Sequence, residues 1–69
     1  MILLLTKKNR KVFQLSSEIT TINRKIRLLS EEILTAKMND DVYNRIYGAT
    51  QKRELEIKRD ELIEILKKQ

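Results

Sequence analysis

The sequence predicts an all-α chain, an antiparallel two-helix coiled-coil hairpin that self-associates. Three observations carry this expectation. Apolar residues from Val12 onward hold a seven-residue repeat for nearly four heptads. A polar patch, "MNDDVYNRIYG" at residues 38–48, then interrupts the pattern before a second charged, apolar-striped run begins. With no proline, one glycine and 36% charged residues, little in the chain breaks a helix.

The first run is the clearest element. Val12, Leu15, Ile19, Ile22, Ile26, Leu29, Ile33 and Ala36 are spaced 3, 4, 3, 4, 3, 4, 3. With Val12 at position a, the a residues are all β-branched and Leu15, Ile22, Leu29 and Ala36 fall at d, which makes the seam of a left-handed coiled coil. The register reaches back to Leu5, with Lys8 interrupting it at d. The intervening residues, among them Ser16, Thr20, Arg24, Lys25 and Glu31, suit a solvated surface. A first helix over 12–37 would be about 40 Å long. Residues 1–11 are either a basic arm or an extension of this helix.

The patch at 38–41 reads as the turn. Asn39 is the expected N-cap of the next helix, with Asp40 and Asp41 in its first positions, where negative charge suits the helix dipole. As adjacent helical residues the two aspartates point apart, and no third ligand lies near, so capping is preferred to metal binding. The return helix is expected over 42–68. Its stripe is Tyr43, Tyr47, Gln51, Leu55, Arg59, Leu62 and Leu66, whose repeated steps of four imply a stutter near residues 47–52. Gly48 beside it would let the two backbones approach. Glu54 with Lys58, and Glu64 with Lys68, are in the favourable order for exposed ion pairs. Phe13, Leu28, Leu34, Ile46, Ile57 and Ile63 lie off both stripes and would stay wet in a lone hairpin.

Composition narrows the function. A chain of 69 residues buries a modest core and ordinarily needs a disulfide, a metal or a partner. Cysteine and histidine are both absent, which removes the first two supports along with the commonest nucleophiles and general bases. The expectation is a cytoplasmic protein that is not an enzyme, has no cofactor or small-molecule substrate, and has protein as its partner. No membrane role is expected: "MILLL" is too short to span a bilayer, and its basic residues follow the apolar run, where a secretory signal has them in front. Of the net charge of +5, Lys7, Lys8, Arg10 and Lys11 contribute +4 with no acid among residues 1–11. They are the positions that would contact phosphate if the chain bound nucleic acid, a secondary expectation.

The segments "NRKIRLLSEEILTAK", "MNDDVY" and "QKRELEIKRDELIEIL" resemble the helical hairpin of large serine recombinases, the integrases of phages and transposons. There an aliphatic-rich helix leads to a tip similar to I-S-x-E-E-Y and a charged return helix. Met38 matches the aliphatic residue, Asn39 the capping serine, Asp41 an acid and Tyr43 the aromatic. Val42 replaces the second acid, and the family's zinc-binding cysteines and its catalytic and DNA-reading domains have no counterpart in these residues. The resemblance covers about residues 12–66. It implies a protein–protein role in which hairpins on different subunits, copies of one chain or related coiled coils, touch near their tips and control synapsis in site-specific DNA recombination. Carried over, the interface falls on Met38, Val42 and Tyr43, with Ile46 and Tyr47 behind them. Two other readings stand beside it: a basic helical regulator that binds nucleic acid as a dimer, and a small helical adaptor or inhibitor of a larger protein.

Overall fold

A computed structural model describes residues 7–69, with side chains from Asn9 onward. Two helices account for nearly all of it: α1, Lys7–Met38, and α2, Val42–Lys67. Residues 7–11 thus belong to α1, while residues 1–6, including Leu5, lie outside the described residues. Two contacts give the direction of packing. Close to the turn, Ile33 lies against Gly48. Farther along both helices, Arg59 Nη1 donates to Asn23 Oδ1 at 3.4 Å. The chain therefore reverses at residues 39–41 and α2 returns alongside α1.

The turn is tighter than the sequence suggests. Asp40 adopts φ +61°, the left-handed conformation usually reserved for glycine. Its N–H donates to the Lys37 carbonyl at 3.2 Å, and the Asp41 N–H donates to Ala36 at 2.7 Å. This pair of bonds is the Schellman closure, which satisfies carbonyls left open at the end of α1. Asp41 then caps α2: its Oδ1 accepts from the Asn44 N–H at 3.1 Å, and its Oδ2 from Asn44 Nδ2 at 2.6 Å. The expected N-cap, Asn39, and the first-turn placement of Asp40 and Asp41 are corrected. Because α1 runs on to Met38, Asn39 is spent on its closing turn, and the side chain that accepts from the first turn of α2 is that of Asp41. Replacing Asp40 by glycine is expected to stabilise the hairpin by about 1 kcal/mol, since glycine carries no Cβ penalty at this φ. Urea melts of the two proteins at one concentration check this, and an equal or lower midpoint for Asp40→Gly counts against it.

The α1 seam faces α2. Leu15, Ile22, Ile26 and Ala36 are buried, while Val12, Ile19, Leu29 and Ile33 are half-buried. On α2 the covered positions are Gly48, Gln51, Lys52, Leu55, Glu56, Arg59, Leu62, Ile63 and Leu66, and among them Gly48, Lys52, Leu55, Arg59, Leu62 and Leu66 run in steps of 4, 3, 4, 3 and 4. A heptad phase thus passes through Gly48 and Lys52, with Gln51 of the expected stripe half-buried beside it, and Tyr43 and Tyr47 stand outside the seam. Gly48 occupies the place assigned to Tyr47 because the Ile33 side chain fills the space above it. A Cβ added there would lie 2.9 Å from Ile33 Cγ1. Lys52 and Arg59 reach the seam with their alkyl stems, as long basic side chains do at helix contacts. Ile63, expected to be wet, is half-buried.

Exposed ion pairs contribute little here. Glu64 pairs with Lys67 at 3.5 Å and not with Lys68, which caps the helix. Glu54 and Lys58 do not pair; among the described residues the other pairs are Arg27–Glu31 and Arg59–Asp60. Five hydroxyl groups within the helices are satisfied locally: Thr20, Thr21, Ser30, Thr35 and Thr50 each donate to the carbonyl four residues back.

The Cα envelope measures 55 × 23 × 11 Å, a single layer one helix thick. Each helix therefore covers one stripe and leaves the rest in water. The accessible surface is 5791 Å², against roughly 4,500 Å² for a compact monomer of this mass.

Candidate functional site

The end of α1 and the first two turns of α2 gather exposed apolar residues at the turn. Met38 is the last residue of α1 and 77% exposed; Tyr43 is 75% exposed, and Val42, Ile46 and Tyr47 are each just over half exposed. Helical spacing brings the α2 members together: Val42 and Ile46, like Tyr43 and Tyr47, are four apart. The two tyrosine rings stack with centroids 6.1 Å apart and planes 8° from parallel. Gln51 Nε2 donates to the Tyr47 hydroxyl at 3.0 Å, which holds the second ring from behind. Tyr43, Ile46, Tyr47 and Thr50 surround a hollow of about 270 Å³. Stacked aromatics held this way lose little freedom on contact, and tyrosine brings a large apolar face with a polar rim.

A second feature lies on one broad face of the hairpin. A cleft of about 570 Å³ runs between the helices from Leu28 to the turn, with Ala36 and Gly48 among its lining. These two are the smallest residues of the seams, so the helices meet there without filling the flank. Tyr47 and Gln51 line its α2 side, and Glu31, Glu32 and Asp41 supply its charge, with no base in the lining. A further cleft of about 500 Å³ continues from it past Leu28 and Gln51 to Lys58.

No family model, curated protein or solved structure matches the chain.

The remaining sequence-derived positions are distributed as follows. Among the possible phosphate contacts, Arg10 and Lys11 are exposed on α1; Lys7 and Lys8 are in the helix, but their side chains lie outside the described residues. Phe13, Leu28, Leu34 and Ile57 are exposed off the seams. Among the described residues there is no group of acidic residues, histidines or cysteines able to hold a metal, and no helix long and apolar enough to cross a membrane.

Sequence reasoning missed the cleft. Its signal was available in the heptad phase of Leu55, Leu62 and Leu66, which when carried backward arrives at Lys52 and Gly48. A glycine contributes nothing to an apolar pattern, so the phase was drawn through the tyrosines.

Proposed function

We propose that this hairpin is a non-catalytic protein–protein interaction module of the cytoplasm that meets other copies of itself through its tip. The role corresponds to that of the recombinase hairpins it resembles, where such contacts control synapsis of DNA sites. The observation that carries the reading is the convergence of Met38, Val42, Tyr43, Ile46 and Tyr47, all exposed and apolar, at one end of the rod, while the other exposed large apolar residues, Phe13, Leu28, Leu34, Ile57 and Ile65, are spread along the two helices. A protein surface bearing stacked tyrosines and an exposed methionine has the composition of a binding hot spot. Shortage of core adds to this: four side chains are buried in the described chain, and none fully. Burial of each further large apolar side chain gains about 1.5–3 kcal/mol. A cysteine-free composition suits a reducing compartment.

Sedimentation equilibrium over a wide concentration range tests the reading. Wild type is expected to self-associate reversibly, and Tyr43→Ala to remain helical while associating about tenfold or more weakly, as for loss of an aromatic anchor. A wild type that stays monomeric throughout overturns self-association. Equal association of Tyr43→Ala overturns the tip as its site.

A further inference from the structure

The two broad faces of the hairpin are unlike, and the difference bears on how copies meet. At the turn end the cleft face carries Glu31, Glu32 and Asp41 around Leu28, Ala36 and Tyr47, while Lys25, Glu54 and Lys58 line its continuation farther along the helices. On the opposite face, Val42, Ile46, Ala49 and Arg53 follow one another in steps of 4, 3 and 4, a single stripe of α2 that lines neither cleft. Leu34 and Lys37 flank the α1 seam on that side. Lys37 lies in the row Asn23, Ser30, Lys37, spaced by seven, and Asn23 is the residue that receives the Arg59 bond. The charge at the turn end of this face is basic, from Lys37, Arg45 and Arg53, all exposed. Leu34 and Ile46 are each 58% exposed and Val42 53%, so the basic residues border an apolar ridge.

We infer that copies of this chain stack through unlike faces, the Leu34–Val42–Ile46 ridge with its Arg45 and Arg53 border seating in the acidic cleft of the next copy. The inference rests on the self-association reading above and specifies its geometry. Charge at the turn end selects this pairing: there cleft on cleft sets acid against acid, ridge on ridge sets base against base, and cleft on ridge matches them. Shape agrees, because the cleft is recessed at Ala36 and Gly48 while the ridge stands out with branched side chains. Since every copy has both faces, the contact is heterologous and continues past a dimer unless the stack closes. Salt weakens it by screening the borders.

Charge reversal provides the test, read by sedimentation equilibrium with circular dichroism as the check on folding. One variant carries Glu31→Lys with Glu32→Lys, making both faces basic; the other carries Arg45→Glu with Arg53→Glu, making both acidic. All four positions are exposed. Each variant alone is expected to associate about tenfold or more weakly than wild type, and an equimolar mixture to recover wild-type association. A control, Glu61→Lys with Glu64→Lys, has the same net charge as the first variant but lies away from the cleft, and is expected to behave as wild type. Stacking through unlike faces is overturned if either variant alone associates like wild type, if the mixture fails to recover, or if the control weakens equally. Association that depends on Tyr43 but ignores these charges removes the stacking geometry and leaves the tip reading standing. A wild type that never associates removes both.

Discussion

Ile22→Ala is expected to destabilise the hairpin by about 2–4 kcal/mol, enough to leave much of the chain unfolded at ordinary temperature. Ile22 is 7% exposed at a d position midway along α1, one of four buried side chains in the described chain. Truncation removes three carbons from the seam, and a single-layer molecule has no second shell of side chains to collapse into the gap. The helices themselves offer little reserve. Their serine, threonine and asparagine content lowers intrinsic helicity, so most of the helical stability comes from the shared seam. The comparison is with Thr21→Ala, one residue away and exposed, whose hydroxyl bonds only to its own helix. Urea melts followed by far-ultraviolet circular dichroism, at one fixed concentration because association would add to stability, check the difference. If Ile22→Ala and Thr21→Ala melt together, the seam assignment fails.

The sign of Gly48→Ala is expected to depend on residue 33. In an open helix, alanine for glycine stabilises by about 1 kcal/mol. Here the new Cβ would sit 2.9 Å from Ile33 Cγ1, a branch close to the backbone that cannot swing away as a chain terminus does. Overpacking of this kind costs about 1–3 kcal/mol, so in the wild-type background the substitution is neutral to destabilising. In an Ile33→Ala background the obstruction is gone and the same change is expected to stabilise by about 1 kcal/mol. A double-mutant cycle measures the coupling directly. Additive effects would show that Gly48 and Ile33 do not meet, and with that contact would go the α2 phase drawn through Gly48.

How much of this was legible in the sequence differs between the helices. Along α1 only one set of positions carries apolar side chains at alternating threes and fours, so no second phase competed. Along the first half of α2 two phases compete, one through Tyr43, Tyr47 and Gln51, the other through Gly48 and Lys52. Hydrophobicity favours the first, because glycine has no side chain to count and lysine counts as polar. The structure takes the second, since Ile33 fits over a glycine and not over a phenol. The turn shows the same limit. Asn39 and Asp41 are both good caps in isolation, and the choice between them follows from where α1 stops, set by the Ala36 and Lys37 carbonyls that the turn must satisfy. The apolar residues of the tip could be read from the sequence. The cleft could not, because its lining alternates between two helices whose relative rotation no local pattern records.

By itself the sequence determined that two helices form, that the chain turns near residues 39–41, and which stripe α1 buries. These are properties of spacing, propensity and charge within a few turns of one helix. Only the tertiary structure decided that Asp40 takes the left-handed position, that Asp41 caps α2, that Gly48 replaces Tyr47 in the seam, and that Glu31, Glu32 and Asp41 line one cleft beside the turn. The first two follow from where α1 stops and which of its carbonyls the turn satisfies; the last two depend on how α2 is rotated against α1, and steric fit across the seam sets that rotation where Ile33 meets the one residue without a Cβ.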